Sequence, residues 1–285
     1  MSTPRQTGTR MAVVMSLAGI VLACGDVDPG ILPAPADRDE EVLGMLAGQR
    51  IFFGHQSVGR DLLSGIEDLE GGRAPHALRI VDGREASLLG PGVILHSAIG
   101  RNENAQSKLE DFKRAIEGGL GGIANLAFMK FCYIDFNAQT DVDALFERYR
   151  STLDGLRARY PSTTFVHLTV PLTTVQGGVK ATLKRALGKP VWGERENLKR
   201  AAYNARVRQE LTGQPVFDLA RLESTTAGGQ RHLIEVEGRP VEVLAPVYTD
   251  DGEHPNEAGR RVLAAELLRF LGSLAAAGSA PAQDP

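Results

Sequence analysis

Cysteine is scarce in this chain: Cys24 and Cys132 are the only two in 285 residues. A chain so poor in thiols builds no disulfide framework, so its stability rests on a hydrophobic core. Long basic runs are missing too, and the formal net charge is -3, which leaves no electrostatic footprint for nucleic acid. No internal repeat recurs. The apolar run near the N-terminus, Met11 to Ala23, has 13 residues and is too short to cross a bilayer comfortably. What is present is ordinary for a globular protein: 42% hydrophobic and 24% charged residues, with acids and bases interspersed.

The first residues read as a processing signal. "MSTPRQTGTR" carries two arginines and no acid, and the apolar run follows directly. "VLAC", residues 21–24, then sets a small residue before a cysteine and resembles a bacterial lipobox. That would make Cys24 the lipidated first residue of an extracytoplasmic, membrane-anchored protein of the cell envelope. An ordinary secretory peptide with an incidental cysteine is the alternative. Residues 1–23 are thus expected to be a signal peptide and 24–40 a tether stiffened by Pro29, Pro33 and Pro35. The folded domain is expected over 41–275, with a frayed tail over 276–285. Loss of Arg5 and Arg10 takes the net charge to about -5. Cys132, inside the apolar "LAFMKFCYIDF", reads as a packed core thiol.

Along the domain, short apolar runs alternate with helical periodicity. "RIFFG", "GVILHS", "NLAFMKFCYI", "TTFVHLTVPL" and "PVFDLA" are expected strands. Between them, 58–69, 105–117, 141–160 and "ENLKRAAYNARVRQEL" are expected helices, and a last helix after Asn256 closes the chain. Strands that are apolar almost throughout, separated by helices, predict a parallel sheet covered on both faces. Right-handed crossovers then bring the loops leaving the strands to one edge, where function belongs. Residues 173–194 read as a polar, glycine-containing insertion, and 232–244 as a hairpin turning at Glu237-Gly238. Both are expected to form a rim over that edge.

Two stretches carry chemistry. "FFGHQSVGRDLL" runs from a strand through glycine into Ser57 at a helix start, where a serine is either a cap or a nucleophile. "TDDGEHPNEAG" places Asp251 and His254 three apart on a loop. The carboxylate can hold one imidazole nitrogen and leave the other as the base that a serine needs. Ser57 after the first strand and a late "DxxHPN" before the last helix resemble the SGNH/GDSL hydrolase superfamily over roughly residues 48–272. The resemblance implies a three-layer α/β/α, flavodoxin-like sandwich around a mostly parallel five-stranded sheet. It also implies Ser57 as nucleophile, His254 as general base, Asp251 as its orienter, and a lipid or acetylated-sugar ester as substrate.

By the same resemblance the oxyanion would be held by the N–H groups of Ser57 and Gly100, with Asn102 nearby. The sequence departs from the family twice. His55-Gln56 stands in place of the usual aspartate before the serine. Cys132-Tyr133-Ile134-Asp135 replaces Gly-x-Asn-Asp, so Asn102, Asn137 or Tyr133 is needed as a substitute donor. His55, Tyr133 and Asn137 are further expected to touch substrate, with a structural role for His55 as the alternative. His96 and His167 read as satisfied core residues, and Asn204 and Asp218 as holding the last helix and strand. A zinc site from His55, His96 and His254 lacks tight ligand spacing. No metal or cofactor is expected. The rival reading is a non-catalytic surface lipoprotein of the same fold that binds glycan or cell-wall material.

Overall fold

The computed structural model describes residues 37–70 and 78–279. The expected signal segment, Cys24, most of the expected tether and the extreme tail lie outside the described residues. Helix α1 (Asp37–Leu46) starts inside the stretch expected as tether. The last helix, α8 (Glu257–Ser279), runs past the expected domain end at 275. Both boundaries are corrected accordingly.

The chain then follows the alternation expected of it. It passes through β1 (Arg50–His55), α2 (Ser57–Glu70), β2 (Arg79–Asp82), β3 (Val93–Ala98), α3 (Ala105–Glu117), β4 (Leu126–Met129), α4 (Val142–Arg159) and β5 (Thr164–Leu168). It continues through α5 (Gly178–Ala186), α6 (Glu194–Glu210), β6 (Val216–Phe217), α7 (Leu219–Glu223) and the hairpin β7 (Leu233–Val236)–β8 (Arg239–Glu242) before α8. Strands β1 to β6 form one parallel sheet in the order β2-β3-β1-β4-β5-β6. The sheet therefore has six strands rather than five. The extra one, β2, is a short edge strand whose residues are exposed or half-buried, so it lacks an apolar run to announce it. The hairpin pairs antiparallel and turns at Glu237 and Gly238, both with positive φ, as a tight two-residue turn requires.

Both faces of the sheet are covered, which is why its strands read as continuous apolar runs. Phe52 points to one side, where its ring stacks at 5.9 Å on Phe112 of α3 in a core shared with α4 and α6. Phe53 points to the other, 4.6 Å from the Phe128 ring, in a core shared with α1, α2 and α8. Gly65 is the close contact between α2 and α8: a Cβ there would lie 2.4 Å from the Arg260 carbonyl oxygen. Capping follows the sequence signals. Asn104 accepts from the Ser107 N–H, Asp141 from Ala144, and Asn256 from Gly259 at 3.0 Å. The strand order reverses between β3 and β4 on either side of β1, so the loops leaving these three strands meet at a topological switch point.

Candidate active site

The first wall of the site is the exit from β1. Gln56 Nε2 donates to the carbonyls of Ile99 at 2.9 Å and Gly100 at 3.2 Å, which ties this turn to the end of β3. Ser57 opens α2 and is exposed. His55 turns the other way and is only 2% exposed. Its Nδ1 donates to the Gln56 carbonyl at 2.9 Å, so its Nε2 accepts from His96 Nδ1 at 3.1 Å. Burial is the main force pushing the His55 imidazole down to about 3. The expectation that His55 touches substrate is corrected: it is a neutral, internally bonded residue beneath the turn. Gly59 leaves it the room, since a Cβ there would sit 2.3 Å from the His55 Cβ.

The second wall is the loop before α8. Asp251 Oδ1 accepts from the backbone N–H groups of Glu253 and His254, each at 2.7 Å, and from the Thr249 hydroxyl at 3.2 Å. Its Oδ2 lies 2.8 Å from His254 Nδ1. Burial works against the anion, yet these donors hold the Asp251 carboxyl well below the usual range. Spacing of three on a turn closed by the carboxylate itself brings the two side chains together. The orientation fixes the tautomer: Nδ1 carries the proton and Nε2 is left bare.

Helices α2 and α8 both start at the strand-exit edge and touch along Gly65, which sets Ser57 and His254 at the same end of the pair. Asp61, one turn into α2, senses the charges of His254, Arg260 and Asp251; burial raises its carboxyl and His254 lowers it. Among the described residues no hydrogen bond joins Ser57 to His254. Instead Nε2 faces the Tyr133 hydroxyl at 3.4 Å, and that hydroxyl donates to Glu253 Oε2 at 3.0 Å. With its proton given to Glu253, the Tyr133 oxygen offers a lone pair to Nε2. This contact improves when the imidazole becomes imidazolium.

Tyr133 also borders a cleft of about 510 Å³ walled by Ile134, Asn137, Trp192, Glu196, Arg200 and Glu253 among others. Arg200 lies 5.7 Å over the Tyr133 ring and donates to the Tyr133 carbonyl at 3.1 Å, so the floor of the cleft is rigidly held. Asn137 is exposed on the rim; its Oδ1 accepts from the Gln139 N–H at 2.9 Å, which leaves its NH2 group free to donate. The insertion after β5 does form part of the rim, through Trp192. The metal alternative fares differently, because His55 and His96 bond to each other and His254 bonds to Asp251.

The oxyanion expectation needs correcting at Gly100. Its N–H donates to Asp111 Oδ2 at 2.9 Å and is not free for substrate. Asp111 is held by Arg84 in turn, whose hydrogen bonds are the main reason its carboxyl is lowered to about 2. Asn102 is exposed, and its Oδ1 accepts from Lys108 Nζ at 3.0 Å, leaving its NH2 group as a donor. Lys108 continues to Asp135 at 2.7 Å, and Asp135 accepts from the Cys132 N–H at 2.7 Å. Ile134 is exposed on the cleft and supplies no side-chain donor. Asn204 and Asp218 have other tasks than expected. Asn204 clamps both backbone groups of Val170, and Asp218 caps α7 and binds Arg208.

Sequence reasoning missed Glu253, Arg200 and Asp61 at this edge. Glu253 stands inside the quoted "TDDGEHPNEAG", but no spacing to another residue singles it out. Arg200 and Asp61 lie on helices where a charged residue reads as solvated surface.

Comparison with protein-family models finds no match, nor does comparison with curated proteins. Solved structures do resemble the chain. A Streptococcus pneumoniae protein described as a platelet activating factor shares 15% identity over 82% of this chain and 90% of that one, with a TM-score of 0.47. A peptidoglycan O-acetylesterase shares 16% over 66% and 48%, TM-score 0.42. The C-terminal catalytic domain of Streptococcus pneumoniae peptidoglycan O-acetyltransferase shares 13% over 80% and 94%, TM-score 0.36.

Proposed function

We propose that the protein is a serine ester hydrolase acting outside the cytoplasm on a carbohydrate or lipid ester. The Asp251–His254 pair carries this reading. A carboxylate fixed by two backbone N–H groups and 2.8 Å from the imidazole leaves Nε2 as a base at the strand-exit edge where Ser57 is exposed. Ser57 Oγ attacks the ester carbonyl and passes its proton to Nε2. Asp251 and the Tyr133 oxygen steady the imidazolium. The negative charge on the carbonyl oxygen is met by the Ser57 N–H and by the NH2 group of Asn102 or Asn137. Collapse expels the alcohol, which takes the proton from His254. Water, deprotonated by His254, then attacks the acyl-serine, and collapse releases the acid as Ser57 Oγ takes the proton back from His254.

The absence of a Ser57–His254 hydrogen bond and the use of the Gly100 N–H by Asp111 favour the second reading, a binding protein with the same fold. Labelling with a fluorophosphonate and hydrolysis of a short aryl ester separate the two. The hydrolase reading expects wild type to label and turn over, and Ser57→Ala and His254→Asn to lose at least about three orders of magnitude in kcat. Equal rates in Ser57→Ala, or no labelling and no turnover in wild type, leave the binding protein.

A further inference from the structure

Helix α5 is amphipathic with its apolar side facing out. Ala181 is its one fully buried residue, whereas Val179 is 87%, Leu183 59% and Leu187, just past its end, 60% exposed. Spacing of four places these three side chains in one stripe on the helix surface. The side opposite Ala181 is thus a row of protruding aliphatic groups, the reverse of what a helix resting on a core presents. Trp192, five residues past Leu187, is 45% exposed and lines the cleft.

The charges carried by the segment itself are all of one sign, while Glu194, Glu235 and Glu237 line a hollow with Arg185 and Lys189 at its C-terminal end. Lys180, Lys184, Arg185 and Lys189 fall within the segment, and no acidic residue occurs between Asp154 and Glu194, in a chain whose net charge is -3. Arg185 is paired with Glu194 at 2.6 Å, and Lys184 donates to Gln176 at 2.8 Å. Lys180 and Lys189 extend from exposed positions beside the stripe.

We propose that α5 and Trp192 form a docking face for an anionic lipid surface. Val179, Leu183 and Leu187 enter the interfacial layer, and Lys180 and Lys189 meet the headgroup phosphates. A protruding aliphatic row flanked by Lys180 and Lys189 fits a surface that is apolar within and negative outside. A protein partner of similar affinity needs a matching groove and two carboxylates in register. The proposal stands whether or not the ester reading holds.

Trp192 is the only tryptophan in the chain, so the reporter can be moved onto the stripe itself. Full-length Trp192→Phe/Leu187→Trp protein is mixed with vesicles of phosphatidylcholine alone or with added phosphatidylglycerol, each bearing brominated acyl chains. The expected result is a blue shift and quenching of the relocated indole's emission on the anionic vesicles, weakened by salt. Adding V179D/L183D reduces that partitioning by at least about tenfold. Lys180→Gln and Lys189→Gln each reduce it by roughly fivefold. These side chains are exposed, so the far-UV spectrum and melting midpoint stay unchanged. Unquenched emission on anionic vesicles overturns the proposal, as does equal quenching with V179D/L183D. So does a blue shift without lipid that grows with protein concentration, which assigns the stripe to a second copy of the chain.

Discussion

Two glycines illustrate how much a single Cα can decide. Gly100 has φ +53°, and a Cβ there would lie 2.4 Å from the Lys108 backbone nitrogen. Gly155 lies in the exposed part of α4 with nothing within 4 Å of the same added atom. Alanine at position 100 is expected to cost about 2 kcal/mol or more, from left-handed strain and overlap together. Alanine at position 155 is expected to gain roughly 0.5–1 kcal/mol by removing chain entropy. Urea midpoints of the two variants check this, and equal signs refute it. The contact of Asp251 with His254 was legible in the sequence because it is local, two residues three apart on a short acidic turn. The sequence hid the occupation of the Gly100 N–H, because the acceptor, Asp111, arrives on the far side of a turn and a helix start. It hid the pairing of His55 with His96 for the same reason: neighbours across parallel strands are remote in sequence.

At the scale of elements, a buried ion pair joins α3 to the turn after β4. Lys108 and Asp135 have fully buried side chains and lie 2.7 Å apart. Lys108→Met would leave the Asp135 carboxylate buried without a cation, at a cost of about 3–5 kcal/mol. Lys108→Met/Asp135→Asn removes both charges and keeps an acceptor for the Cys132 N–H, so most of that loss should return. A double-mutant cycle in urea measures it, and additive losses would show that the pair is not the cause. The sequence reading placed the α3 helix but not this lysine, since a lysine next to leucine on a helix flank usually reaches water. Helix α5 escaped for the complementary reason. Its apolar residues point away from the core, so the stretch resembled neither a packed helix nor a strand. The β4 run ended early because the chain must leave the sheet to form the cleft wall at Tyr133.

For the molecule as a whole, buried titratable groups set a pH optimum of stability. Burial pushes His55 down to about 3 and His167 to about 4, so each refuses a proton that the unfolded chain accepts below pH 6.5. Their contribution is complete above 6.5 and is lost as pH falls through the folded values. Glu223 acts the other way, because burial pushes its carboxyl up to about 8. The folded state keeps a proton that the unfolded state sheds above 4.5, so stability declines as pH rises towards 8. The unfolding free energy should therefore peak near pH 6.5, with each group contributing a slope of about 1.4 kcal/mol per pH unit inside its window. Glu223→Gln should flatten the alkaline limb, and His167→Gln the acidic one. Titration of urea stability from pH 4.5 to 8 tests both, and an unchanged alkaline limb in Glu223→Gln would refute the assignment.

The contact of α2 with α8 at Gly65 has a consequence in time rather than in space. Ser57 is among the first residues of the domain to be synthesised, and His254 is among the last. Until the final helix lies against the first one after β1, the serine has no base and the cleft lacks its Glu253 wall. Under the hydrolase proposal a nascent or truncated chain is chemically silent, and competence arrives with the docking of the C-terminus.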